Sequence, residues 1–209
     1  MFKTKLIITM IIALALPMAA NASEDSLRYN VKRNGSSIGT HEVSFERKGD
    51  LLEVEIETDI EVKVAFITFY RFDHKAEEQW KNGQLVAYHS KTNDNGTDKF
   101  LNLSSVQGNY IVAGSAGRYV TTSLAIPGSL WHQTTHKQDL LMNTLDGHNM
   151  KVEIADAGMD MVMVSGENVE AHHYIMRGEL QRELWYVNGN LVHVKFLGED
   201  GSTIEYELQ

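Results

Sequence analysis

The chain contains no cysteine, and only two of its 209 residues are proline. The first absence rules out disulfides, thiol nucleophiles, thiolate metal centres and a lipid-modified N-terminal cysteine, so the fold must rest on burial of its own core. The second, with Pro17 and Pro127 far apart, leaves long stretches free to pair as strands. Basic residues are scarce, 19 against 28 acidic for a net charge of −9, which disfavours nucleic acid and anionic membrane surfaces as partners. No Gly-x-Ser-x-Gly elbow and no phosphate-cradling glycine loop occurs.

What is present begins with an address. Lys3 and Lys5, an apolar core from Leu6 to Leu16, Pro17 and the small-x-small triplet Ala20-Asn21-Ala22 read as a secretory signal over residues 1–22. That core is short of the roughly 20 residues a spanning helix needs, and no later stretch is long and uncharged enough. The expectation is a periplasmic or secreted protein, not an integral membrane one, with residues 23–209 forming a single domain that carries 17 basic and 28 acidic side chains.

From Glu53 to Arg71 the chain alternates. Val54, Ile56, Thr58, Ile60, Val62 and Val64 share one parity, and Glu53, Glu55, Glu57, Asp59, Glu61 and Lys63 the other. A period of two is a strand with one dry face and one wet, acidic face. At about 3.4 Å per residue, Leu52 to Trp80 in a single strand would approach 100 Å, too long for a domain of this size. The chain must bend or turn, and Ala65 to Phe69, apolar on both parities, is the expected place. Turn pairs such as Asn34-Gly35, Asn82-Gly83, Asn95-Gly96 and Asn188-Gly189 punctuate the rest. They predict an all-β protein, an antiparallel meander of about a dozen strands forming a barrel or a strongly curved sheet.

One segment breaks the alternation. Near 127–147 the sequence predicts a short helical or loop crossing, carrying Leu130, Trp131, Leu140, Leu141 and Met142, that plugs or covers one end. On either side lie two stretches, about 27–126 and 148–209, with an internal echo. Glu78-Gln79-Trp80-Lys81-Asn82-Gly83 recurs about 105 positions later as Glu183-Leu184-Trp185-Tyr186-Val187-Asn188-Gly189, with one extra residue before the turn. Related halves and chance likeness between hairpins are both open readings.

Candidate chemistry is thin. His132 and His136 stand four apart, as two metal-binding imidazoles on one helix would, but Thr134 and Thr135 disfavour that helix and no third ligand is evident. The acidic run reads as solvated sheet surface, not as a paired-carboxylate site. Asn34-Gly35-Ser36, Asn95-Gly96-Thr97 and Asn102-Leu103-Ser104 fit the glycosylation pattern only formally. The interior parity mixes aromatic, methionine and histidine side chains: His41 beside Val43 and Phe45, His173 beside Ala171 and Ile175, Met161 and Met163 near Met150 and Met159. Such an interior holds an apolar ligand or is a filled core. The candidate ligand-binding residues are His41, Phe66, Tyr70, Trp80, Trp131, His173 and Trp185.

The segment Ile38-Gly39-Thr40-His41, then Phe66-Ile67-Thr68-Phe69-Tyr70-Arg71-Phe72, and the close from Glu183-Leu184-Trp185-Tyr186 to Asp200-Gly201-Ser202-Thr203-Ile204-Glu205-Tyr206-Glu207-Leu208 resemble an uncharacterised family of exported bacterial proteins, domain of unknown function 6134. A looser C-terminal likeness is to family 3108. The resemblance implies an exported antiparallel β protein and brings no activity, cofactor or catalytic residue. Three functions remain: a non-enzymatic binding protein for an apolar small molecule or lipid, an interaction factor for an envelope protein, and a metal-dependent enzyme through His132 and His136. The first is preferred.

Overall fold

The computed structural model describes residues 24–209, and the expected signal, residues 1–22, lies outside them. Fifteen strands follow one another: β1 (Glu24–Arg33), β2 (Ser36–Lys48), β3 (Leu51–Val64), β4 (Ile67–Lys81), β5 (Gln84–Asp94), β6 (Thr97–Val106), β7 (Asn109–Gly114), β8 (Gly117–Thr121), β9 (Ile126–Pro127), β10 (Leu140–Met142), β11 (Asn149–Val164), β12 (Glu167–Gly178), β13 (Arg182–Val187), β14 (Asn190–Leu197) and β15 (Thr203–Leu208). All join one sheet in the order β8-β7-β6-β5-β4-β3-β2-β1-β15-β14-β13-β12-β11-β10-β9. Each neighbour is antiparallel except β9 and β10, and the sheet does not close. Short strands flanking the crossing carry the number beyond a dozen.

Tight turns make the meander possible. Asn82-Gly83 and Asn188-Gly189 sit at φ 51 and 77° and φ 50 and 84°, the left-handed pair that a two-residue hairpin matching strand twist requires. The expected break is a turn too: β3 and β4 meet at Ala65-Phe66, with Ala65 at φ 56°. Its tip is bare, Phe66 being 100%, Ile67 66% and Phe69 62% exposed. Below the tip the parity holds, with Val54, Ile56, Thr58 and Ile60 buried and Glu55, Glu57 and Asp59 in water.

The sheet curls around two contiguous cores. One gathers Tyr29, Val43, Val54, Ile56, Trp80, Tyr88, Leu101, Leu103 and Val112; the other gathers Leu130, Met176, Leu184, Tyr186, Leu191 and Val194. The crossing segment joins them. Met142 belongs to the first and Leu141 to the second, both 0% exposed, so β10 is covered on both faces. In place of a helix the crossing has one 3-10 turn, Thr135–Lys137, because Pro127 and the β-branched Thr134 and Thr135 oppose helix while Leu140–Met142 pairs with β11.

Four interior placements are corrected. Met161 and Met163 are 58% and 42% exposed, and His173 and Ala171 point opposite to Tyr174 and Met176, away from the main core. Ala171 instead joins a third cluster with Val162, Trp185 and Val192 on the outer face. The β11–β12 hairpin bends onto that face at a bulge between Asp156 and Gly158, and Ser165 N–H donates to the Leu208 carbonyl at 3.0 Å. Alternation shows that a strand has two faces; it does not show which face another strand covers.

The β10–β11 turn approaches the far edge of the sheet. Ala116 N–H donates to the Asp146 carbonyl at 3.3 Å, and a Cβ on Gly147 would stand 2.6 Å from Leu101 Cδ1 and 3.1 Å from Val112 Cγ1. Gly147 also lies at φ 87°, so Gly147→Ala combines strain with a clash, whereas Gly83→Ala, at φ 77° in open space, meets strain alone. Gly147→Ala is expected to cost about 2–3 kcal/mol and Gly83→Ala about 1 kcal/mol, read by urea unfolding. Equal losses would mean that this turn is not packed as described.

Candidate functional site

β4 carries an anomaly on its dry face. Between the buried Ala76 and Trp80 stands Glu78, 1% exposed. Its carboxylate accepts from Trp80 Nε1 at 2.7 Å, Ser129 Oγ at 2.8 Å and Trp131 Nε1 at 3.2 Å. None of the three donors is charged. Burial therefore dominates, and it pushes the Glu78 pKa up to about 7 against the three hydrogen bonds that favour the ionised form. The arrangement ties β4 to the crossing segment and makes Glu78 a latch.

Other interior groups pin the same segment. Tyr186 Oη donates to the Leu130 carbonyl at 2.8 Å, Tyr88 Oη and Ser90 Oγ donate to the Thr144 carbonyl at 3.2 and 2.7 Å, and Tyr119 Oη donates to the Gly147 carbonyl at 3.0 Å. Trp131 is thereby fixed edge-on to Phe45 and Trp80, with ring centroids 5.2 and 5.6 Å apart.

Fixing Trp131 builds a groove at this end of the sheet. It encloses about 900 Å³. Leu27, Phe45, Leu52, Trp80 and Trp131 provide apolar surface, and Asp25, Arg47, Asp50, Asn82, Gln133, Asn188 and Asn190 a polar rim. Lys81 neutralises Asp50 at 3.4 Å. A second depression, about 470 Å³, lies on the acidic outer face among Glu55, Glu57, Lys75, Glu77, His89 and Lys91. It has no comparable aromatic wall.

The interior holds a polar row as well. His41, Thr58, His74 and Thr92 are successive cross-strand partners, His41 Nδ1 lying 2.8 Å from Thr58 Oγ1 and His74 Nδ1 2.8 Å from Thr92 Oγ1. Tyr29 and Tyr206 flank His41 at 5.5 and 5.3 Å. Burial lowers both histidines to about 4, and for His41 the nearby His74 adds to it. These rings are neutral polar fillers of the core.

The seven candidate residues do not converge. Trp80 and Trp131 meet at the groove, and His41 sits in the histidine–threonine row. Phe66 stands at the far hairpin tip, and Tyr70 Oη donates to Asp94 at 3.0 Å. His173 and Trp185 stack on the outer face at 4.3 Å. His132 and His136 separate, His132 stacking on Trp80 at 4.8 Å with Nδ1 taken by Thr134, and His136 stacking on Tyr174 at 4.7 Å. No three His, Asp or Glu side chains form a metal-binding group among the described residues. Glu78 escaped notice in the sequence, although a carboxylate on the apolar parity of an alternating strand was the available signal.

A family model described as "Domain of unknown function (DUF6134)" matches residues 29–209. The looser likeness to family 3108 is not shown by this match. No curated protein matches the chain. The fold is similar to a crystal structure of a "Beta-barrel-like Protein of Domain of Unknown Function DUF1849 from Brucella abortus", with a TM-score of 0.58 and 8% identity over 91% of this chain and 98% of that one. At that identity the likeness is one of fold.

The latch and the histidine row make opposing predictions about pH. His41 and His74 titrate lower folded than unfolded, so the stability they confer is complete above pH 6.5 and is lost as pH falls toward 4, by about 3 kcal/mol per ring. His132, His136 and His193 are lowered in the same direction. Glu78 titrates higher folded, so its contribution is complete below 4.5 and is lost as pH rises through 7. Glu78→Gln, whose amide can take the tryptophan donors on oxygen and donate to Ser129, is expected to match wild type near pH 4 and exceed it by about 3 kcal/mol at pH 8. Urea unfolding across pH checks this; a difference between the two proteins that does not change with pH would refute it.

Proposed function

The chain belongs to the DUF6134 family, and on that premise we propose that it is a non-enzymatic binding protein, exported to the cell envelope, that holds a single-chain amphiphile in the groove beside Trp131. The observation that carries this reading is the pairing of surfaces in that groove: an apolar floor of Leu27, Phe45, Leu52 and Trp131 under a rim of amides and charges. A chain of methylenes gains from the floor and a polar head from the rim. Lys81 pairs with Asp50 at 3.4 Å and the lining carries Arg47 as well as Asp25, so the rim has both signs of charge and suits a zwitterionic or uncharged head. The interior supports a mouth site over an enclosed one, because Trp80, Tyr88, Leu101 and Leu103 fill the space behind. Export is supported by the leader pattern at residues 1–22.

Delipidated protein is expected to bind monomeric lysophosphatidylcholine, seen as a one-to-one adduct in native mass spectrometry and as a change in tryptophan fluorescence. Phe45→Glu and Leu52→Glu are expected to weaken binding at least tenfold, and Gln133→Trp, on the exposed rim, to do so with the core untouched. A bare apo mass with unaltered fluorescence, or unaffected binding in Gln133→Trp and Leu52→Glu, would refute the site.

A second reading rests on the β3–β4 tip, where Phe66, Ile67 and Phe69 are exposed together. An apolar patch on a projecting hairpin suits contact with another envelope protein. A photo-crosslinker at position 67 is expected to give one discrete adduct in cells that Phe66→Asp abolishes; absence of any adduct argues against this reading.

A further inference from the structure

The bend at Asp156–Gly158 sets the two faces of the β11–β12 hairpin beyond the core. Asp156 Oδ1 accepts the Gly158 N–H at 2.8 Å, Gly158 adopts φ 85°, and the following residues lean on the outer face. Val162 packs against Trp185 and Val192, and Asp160 accepts from Trp185 Nε1 at 3.2 Å. The alternate residues therefore point away. They are Met159, Met161 and Met163, exposed by 56, 58 and 42%. Three thioethers in a row on open surface are an uncommon use of a side chain suited to filling cores.

An imidazole completes the row. His172 is the cross-strand partner of Met159, so both project from the same face. The ring is held from two directions: Nε2 lies 2.7 Å from Asp156 Oδ1, and Tyr174 stacks on it at 4.6 Å. Donation of Nε2–H to Asp156 places the lone pair on Nδ1, which has no protein partner among the described residues. A carboxylate that fixes the tautomer of a histidine is the arrangement that orients a metal ligand.

Ligand chemistry names the occupant. Neutral thioethers are soft donors that select Cu(I) over Zn(II), Mg(II) or Ca(II), and imidazole is compatible with copper. Alternate residues of a strand lie about 7 Å apart and cross-strand partners about 5 Å, and the unbranched methionine side chain has the reach to bring its sulfur inward. The chain offers no thiolate to outcompete such a site. From these residues we propose that Met159, Met161 and His172 bind one Cu(I) ion at the surface, with Met163 as an alternative thioether. Binding involves no change of oxidation state, and it is independent of the amphiphile groove.

The test is competition for Cu(I) against bicinchoninate under argon, using protein purified without a histidine tag and labelled with ¹³C at the methionine methyls. The protein is expected to withdraw one equivalent and to shift the Met159 and Met161 resonances, while buried Met142 and Met176 stay in place. Met161→Leu and His172→Asn are expected to weaken binding at least tenfold, and Zn(II) to leave the methionine methyls unmoved. Failure of wild type to compete, or undiminished competition by the Met159→Leu, Met161→Leu, Met163→Leu triple variant, would overturn the proposal. Leucine is close to methionine in volume and these positions are exposed, so the variants test ligation and not folding.

Discussion

A curved sheet with two free edges has to dispose of them, and this chain does so by turning one edge inward and tying it down. β9 and β10 leave the wall and lie between the two cores, where every backbone group needs a partner. The wall supplies partners through Tyr186, Tyr88, Ser90 and Tyr119, whose hydroxyls reach the carbonyls of Leu130, Thr144 and Gly147. Each carbonyl left unpaired in such a place would cost about 1–3 kcal/mol. The polar content of the interior is thus the means by which an unclosed sheet acquires a definite end.

Glu78 belongs to that system and is the most constrained member of it. It brings a carboxylate into the core without a cation, and its three donors come from Trp80, Ser129 and Trp131. Burial works against the charge and the donors work for it, which leaves the group balanced near neutrality. Trp131 couples this balance to the surface, since one end of its ring system meets Glu78 and its body walls the groove. Latch and groove are therefore one structure, and a change in the first is felt in the second.

Much of the wall was legible because period-two alternation is a local signal. The acidic and dry faces of Val54 to Ile60, the turn at Ala65-Phe66, the hairpin turns and the crossing all follow from neighbouring residues. His41 was rightly placed inside on the same basis. What escaped depends on distant contacts or on bulges. Glu78 looked like part of a hairpin echo because its donors at 129 and 131 come from another part of the chain. His173 went to the wrong face because parity is relative until a second layer fixes it. Met161 and Met163 went inside on parity, yet beyond the bulge at Gly158 the hairpin runs past the core, so the face they share with Met176 meets solvent.

The internal echo gains a physical meaning once the hairpins are superposed by their turns and not by their tryptophans. Both have the same bulge: Gln79 pairs with Ala87 and Trp80 with Leu85, and likewise Trp185 with His193 and Tyr186 with Leu191. The extra residue in the second copy therefore puts Tyr186, not Trp185, in the place of Trp80. That substitution of position leaves both inward residues with one task. Trp80 holds the crossing segment through Glu78, which takes Ser129 and Trp131, and Tyr186 holds it through the Leu130 carbonyl in between. Two hairpins with one geometry clasp three consecutive residues from opposite sides of the curled sheet. The aromatic at that register position, just before an Asn-Gly turn, is set by the need to reach the crossing segment, and Trp185, freed from it, serves the outer face.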